Sequence, residues 1–178
     1  MRLPAVLTPP LFPEAELSAL ALDGDGFRLG DALVPTDVPV GAAVRAASLQ
    51  PAAHRYGLVA ERWTAAWVHG AVPSAPRPHQ LCNDVGRHER TRMVPGLREV
   101  LLQPDDVQVL GGMAVTSPLR TACDLARLEA RTDGLAPALT ALLALARRTP
   151  LEAAELLRAG PRSPCKRVGV RRLAALAQ

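Results

Sequence analysis

The sequence predicts an α+β fold on three observations. Apolar strands bounded by turn residues cluster in the middle of the chain, and helical patterns fill everything after residue 117. A glycine turn between two short strands at residues 27–34 predicts a small wing-like hairpin near the N-terminus. The chain has 178 residues, 48% of them apolar, so it can bury a core. We therefore expect that hairpin, a central mostly antiparallel sheet, and C-terminal helices packed against the sheet.

The N-terminal stretch is rich in proline and has no continuous apolar segment, so it is not typical of a signal peptide. Pro13 suits the first turn of a short helix over PEAELSAL. In the hairpin, residues 27–29 and 32–34 flank Gly30-Asp31, and residues 41–50 are compatible with a further short helix.

Residues 58–71 show the clearest amphipathic helix of the first half. Val59, Trp63 and Trp67 lie at i, i+4 and i+8, and Gly70 marks the helix end. Because an aromatic pair at this spacing is typical of a core, we interpret the two tryptophans as core residues and not as a base-stacking platform. Strands are predicted at 80–84, 91–95 and 97–102.

The segment GGMAVTSPLRTACDLARL, residues 111–128, joins a glycine turn, a strand and a helix without a linker. Strands on either side of Gly111-Gly112 form a second hairpin, Ser117 caps the next helix, and Pro118 takes its first position. On helix 118–130, Arg120 and Asp124 stand four residues apart, and Asp124 and Arg127 three apart, which predicts an exposed charge ladder. The apolar stripe of this helix consists of Leu119, Ala122, Cys123, Ala126 and Ala130. Further helices are predicted at 134–147, 151–159 and 167–177.

Candidate catalytic and metal-binding residues are sparse. His69 is interpreted as a helix-end residue, Cys123 as a small core residue, and Asp105-Asp106 as a turn. His79, Cys82 and His88 could suggest a metal site, but no CxxC pair or second cluster supports one. The sequence also carries none of the common nucleotide-binding or hydrolase motifs. We expect no catalytic residue, no metal ligand and no cofactor.

The cysteines and the hydropathy indicate the compartment. Three widely separated cysteines fit reduced thiols better than a disulfide framework, and no run of 18 apolar residues occurs. We therefore expect a cytoplasmic protein without a membrane segment.

The net charge of +4 is concentrated at the C-terminus. Residues 147–178 carry eight Lys/Arg against two Glu, a balance of +6, whereas residues 1–146 carry thirteen against fifteen, a balance of −2. Two basic groups are candidate nucleic-acid contacts, although a solvated surface explains each of them as well. The first lies in a loop and the second on the last helix and the segment before it: Arg87, Arg90 and Arg92; Arg158, Arg162, Lys166, Arg167, Arg171 and Arg172.

The order of these motifs resembles a known family. The hairpin, VTSPLRTACDLARL, an alanine- and leucine-rich helix and a basic helix resemble the core of AbiEi-type antitoxins of actinobacterial type IV toxin-antitoxin systems. Upstream, ALVPTD and ERWTAAWVHGA are similar to the wing strand and the first C-terminal-domain helix of that family. The resemblance covers about residues 27–178, and its most specific part is 115–126.

The resemblance implies a non-enzymatic protein in which an N-terminal winged helix binds operator DNA and a C-terminal domain opposes a nucleotidyltransferase-type toxin. Only 26 residues precede Phe27, fewer than the three helices of a full winged helix need. We therefore expect a degenerate winged-helix-like region at 1–50 and an AbiEi-like C-terminal domain at 51–178.

The function we expect is that of an antitoxin-like or transcriptional regulatory protein, with nucleic-acid contact through the basic C-terminal helix. Two alternatives stay open. One is a degenerate or truncated relative of proteins with an endonuclease-like domain, and the other is a protein-interaction module that binds a toxin.

Overall fold

The computed structural model describes residues 4–9, 11–49, 57–86, 94, 96–129 and 133–178. The first helix, α1 (Glu14–Leu22), begins directly after Pro13, which occupies the N-cap position. Strands β1 (Gly26–Leu29) and β2 (Ala32–Pro35) then pair antiparallel, which confirms the predicted hairpin. Its turn uses Gly30 at φ +57°, a conformation that glycine adopts at little cost.

A five-stranded sheet forms the centre of the fold, in the order β5-β4-β3-β7-β6. The α+β class is confirmed, but the sheet is mixed and not mostly antiparallel. Pairs β3–β4 and β6–β7 are antiparallel, whereas β3–β7 and β4–β5 are parallel. The strands are β3 (Val59–Ala60), β4 (Leu81–Asp84), β5 (Arg98–Val100), β6 (Val107–Leu110) and β7 (Met113–Thr116).

The predicted helix over 58–71 is wrong in its first part. Val59 and Ala60 form the central strand β3, and the helix α3 spans only Arg62–Val68. Val59 pairs with Cys82 on one side and Ala114 on the other, so partners distant in sequence outweigh the local helical periodicity. Strands β4 and β5 confirm the predictions at 80–84 and 97–102, while the strand predicted at 91–95 lies outside the described residues except for Val94.

The four helices after residue 117 confirm the C-terminal prediction. They pack around an apolar cluster that includes Leu125, Leu139, Leu142 and Leu173, with Trp63 at its margin. Trp67 belongs to a second cluster between α3 and the sheet, so the two tryptophans serve separate cores. The four C-terminal helices are α4 (Pro118–Ala126), α5 (Leu135–Leu145), α6 (Pro150–Ala159) and α7 (Lys166–Ala175). The short helix α2 (Ala42–Ala47) contributes Ala46 to the second cluster.

The β6–β7 turn confirms the predicted Gly111-Gly112 hairpin, since both glycines have positive φ. Gly111 also lies against α2, where an added Cβ would stand 2.0 Å from the Ala43 carbonyl oxygen. Over the described part of the chain, no helix combines the length and the apolar character that crossing a membrane requires.

Candidate functional site

The parallel strands β3 and β7 end at one edge of the sheet, and each is followed at once by a helix. Glu61 and Arg62 come directly after β3, and Ser117 comes directly after β7. The carboxyl ends of parallel strands are where α/β folds gather functional side chains, because the chain leaves the sheet there.

Ser117 and Pro118 start α4 as predicted. The Ser117 hydroxyl accepts the Arg120 backbone N–H at 3.5 Å, and Pro118 is the first helical residue. Thr121 adds a buried hydrogen bond from its hydroxyl to the Thr116 carbonyl at 3.1 Å. These contacts fix the angle at which α4 leaves the sheet.

The predicted exposed charge ladder on α4 is wrong, because Asp124 is buried. Arg120 Nε donates to Asp124 Oδ2 at 3.0 Å, and Arg127 Nη2 donates to Oδ1. Arg120 Nη1 also donates to Asp106 Oδ2 at 2.6 Å. Helices α3, α5 and α7 all pack on α4, so little of its surface is left for water. The two arginine partners thus satisfy the hydrogen-bonding needs of a buried carboxylate.

A second buried carboxylate escaped the sequence analysis. Glu61 receives two N–H bonds from Arg98 on β5, from Nε to Oε1 at 3.1 Å and from Nη2 to Oε2. The signal was a charged pair, Glu61-Arg62, directly after an apolar strand, and placing that strand in a helix concealed it. Three carboxylates and three arginines take part in these ion pairs, and we call them the carboxylate network: Glu61, Arg98, Asp106, Arg120, Asp124 and Arg127.

The basic C-terminal residues separate into two kinds. Four cations and Val170 line an open groove of about 640 Å³ between α6 and α7, which we call the α6–α7 groove. Arg162 is exposed but does not line it. The lining residues are Arg158, Lys166, Arg167, Val170 and Arg171.

Arg172 is directed elsewhere. Its Nη1 donates to the carbonyl oxygens of Ala126 at 2.9 Å and Leu128 at 2.7 Å, at the C-terminal end of α4. The last carbonyls of a helix lack hydrogen-bond donors within the helix, and the Arg172 guanidinium supplies those donors. It therefore joins α7 to α4, whereas its neighbour Arg171 is exposed.

Comparison with known protein families identifies the family of this chain. The family model described as AbiEi antitoxin C-terminal domain matches residues 45–173, which include the carboxylate network and most of the α6–α7 groove. The chain belongs to the AbiEi antitoxin family. This membership supports an antitoxin role in a toxin-antitoxin system and implies a toxin partner. No curated protein and no solved structure matches the chain.

Two cysteines and two histidines of this AbiEi-family protein hold structural positions: Cys82, Cys123, His69 and His79. Burial raises the pKa of the Cys82 thiol, and burial raises the pKa of Cys123 to about 11, so both thiols stay protonated near neutral pH. His69 donates from Nε2 to the Thr116 carbonyl at 2.8 Å, and burial lowers its pKa. His79 Nε2 lies 3.1 Å from Asp31 Oδ1.

Among the residues that the structure describes, no group of three or more His, Cys, Asp or Glu could hold a metal ion. The predicted turn at Asp105-Asp106 is confirmed as a 3-10 turn, Pro104–Asp106. His88 and the predicted loop cations Arg87, Arg90 and Arg92 lie outside the described residues.

Proposed function

We propose that this AbiEi-family protein is a non-enzymatic antitoxin that contacts nucleic acid through the α6–α7 groove. The observation that carries the proposal is the exposure and the lack of ion pairing of three groove arginines, Arg158, Arg167 and Arg171. All three are exposed, and none has an ion-pair partner in the described part of the chain. Unpaired cations along one groove suit a phosphate backbone, which is a regular row of negative charges.

The two acidic residues of α6, Glu152 and Glu155, do not line the groove but a separate pocket. Glu155 stands three residues before Arg158 but forms no ion pair with it. Glu152 is held at the start of α6, where its carboxylate accepts the Thr149 backbone N–H at 2.7 Å. Arg158 lies in the last turn of the same helix. Within α6 the negative charge of Glu152 and the positive charge of Arg158 are therefore at opposite ends.

The N-terminal region argues against base-specific recognition. The helix that precedes the wing-like hairpin, α1, has Glu14 and Glu16 in its first turn. Arg28 on the hairpin pairs with Glu14 at 2.5 Å, so its charge is already matched. We propose that residues 1–50 are a degenerate winged-helix-like region, and that residues 51–178 form the antitoxin domain.

The partner proposed from the family resemblance is a nucleotidyltransferase-type toxin, with this chain acting as its regulator. Nucleic-acid contact in such a role is carried by charge, which predicts weak, salt-sensitive binding and little preference between sequences.

A salt titration tests this proposal. Fluorescence anisotropy of a labelled duplex is followed over a range of salt concentrations, beside a duplex of scrambled sequence. If the three unpaired groove arginines meet phosphates, log K falls against log[salt] with a slope of about −2.7, since Lys166 already donates to the Gly160 carbonyl. Replacing Arg158, Arg167 and Arg171 together by glutamine flattens the slope by about 2.7.

The matched control is Arg28→Gln, which removes an exposed arginine that already has a carboxylate partner and leaves the slope unchanged. Tight discrimination between the two duplexes, or no binding at low salt, contradicts the proposal.

A further inference from the structure

An open pocket of about 410 Å³ lies beside the carboxylate network, and none of the predicted nucleic-acid contacts in the described part of the chain lines it. Side chains from α3, β5, α4 and the turn before α7 meet there. Its charged or reactive lining residues are Arg62, Arg98, Asp124, Arg127, Glu129 and Cys165.

The carboxylate network holds two of these arginines in place and leaves donors free. A guanidinium group carries five N–H donors. Arg98 donates two of them to Glu61. Arg127 also donates two, one to Asp124 and one to the Cys123 carbonyl at 3.3 Å. Their other donors have no acceptor among the described residues. The network thus orients two guanidinium groups without saturating them.

Arg62 is the third arginine, and its guanidinium has no hydrogen-bond partner among the described residues. Its Nε is buried without an acceptor in the described structure, and the Glu61 carboxylate stands 3.9 Å away. Its backbone has φ +50°, a left-handed conformation that is costly for a residue with a Cβ. Gln80 holds this strained position from both sides, accepting the Glu61 N–H at 3.0 Å and the Trp63 N–H at 2.9 Å.

We propose that this pocket binds the phosphate group of a small phosphorylated molecule. Three guanidinium groups from three separate elements can surround a tetrahedral anion, and the planar fork of arginine matches phosphate oxygens. The net charge of the lining side chains is only +1. The argument for an anion therefore depends on the free guanidinium N–H donors more than on the net charge. The pocket volume exceeds what phosphate alone fills and is typical of small-molecule sites.

Glu129 indicates which second group, besides the phosphate, the bound ligand carries. Its carboxylate accepts the Cys165 thiol at 3.2 Å and lines the pocket, where it can also accept a hydroxyl or amino group. A nucleoside monophosphate has both features. This site is independent of the proposed α6–α7 groove.

The test uses the full chain and isothermal titration calorimetry. The probes are inorganic phosphate, adenosine 5′-monophosphate and adenosine, which lacks the phosphate. We expect saturable binding of the two phosphates and none of adenosine. Arg62→Gly removes the guanidinium and favours the left-handed backbone, so the variant should melt no earlier than wild type and bind phosphate about tenfold or more weakly.

The control variant is Arg28→Gln, which removes an exposed arginine paired with Glu14 outside the pocket and the groove, and which should bind inorganic phosphate and adenosine 5′-monophosphate like wild type. Arg62→Asn, which also tolerates the left-handed region, replaces Arg62→Gly if the glycine variant fails to fold. The source of the phosphate is tested in the protein with Arg158, Arg167 and Arg171 replaced by glutamine, because the α6–α7 groove is itself proposed to bind nucleic acid. If this variant binds a 5′-phosphorylated oligonucleotide more tightly than adenosine 5′-monophosphate, and loses that binding when the 5′-phosphate is removed, the ligand is a nucleic-acid end and the small molecule is rejected. Binding that survives both Arg62 variants, equal loss in Arg28→Gln, or no saturable phosphate binding overturns the proposal.

Discussion

The carboxylate network and the α6–α7 groove use the same side chain for opposite purposes. In the network, each arginine faces a carboxylate, and Asp124 and Glu61 are almost fully buried. In the groove, the arginines are exposed and have no acidic partner within the described residues. The comparison teaches that the number of arginines says little about binding. Burial and the presence of a fixed partner decide whether a cation supports the fold or remains available to a ligand.

Removing the central carboxylate of the network should have the largest effect. Asp124→Ala leaves the partly buried Arg127 without a carboxylate and Arg120 with Asp106 alone, so we expect the free energy of unfolding to fall by about 3–5 kcal/mol. Urea unfolding followed by circular dichroism measures the change. The matched control is Asp105→Ala, an exposed acid next to Asp106, which should stay within about 0.5 kcal/mol of wild type. A similar small change for Asp124→Ala would mean that the network contributes nothing to stability.

The helix caps sharpen the comparison with a smaller effect. Ser117 caps the helix of the network through one long bond, whereas Thr149 caps the groove helix α6 through a reciprocal pair of bonds with Glu152. We expect Ser117→Ala to cost about 0.5–1 kcal/mol and Thr149→Ala about 1 kcal/mol or slightly more, measured by the same urea unfolding. If Ser117→Ala costs as much as Asp124→Ala, the network depends on the start of α4 more than on its ion pairs.

Local signals predicted much of this structure. The turn at Gly30, the turn at Gly111-Gly112 and the start of α4 at Ser117-Pro118 were all predicted, because turn and cap chemistry acts over a few residues. The four C-terminal helices followed from periodicity in the same way.

What the sequence did not predict depends on distant partners. Strand β3 is only two residues long and exists because β4 and β7 pair with it on both sides. Asp124 has the correct spacing to Arg120 and Arg127, but its burial comes from the packing of α5 and α7 on α4. The acceptors of Arg172 lie 44 and 46 residues away in sequence. No local pattern reports these contacts.

The neighbours Arg171 and Arg172 allow the most direct test of the central claim, that exposed unpaired cations bind nucleic acid while partnered ones hold the fold. Each is replaced by alanine, and each variant is measured for both duplex binding against salt and urea unfolding. We expect Arg171→Ala to flatten the salt slope by about 0.9 with a stability change within about 0.5 kcal/mol. Arg172→Ala should lower stability by about 1.5–3 kcal/mol, since two carbonyls lose a charged donor, and leave the slope of the folded protein unchanged. The opposite assignment, with Arg172→Ala flattening the slope at wild-type stability and Arg171→Ala destabilising the fold, would contradict the account.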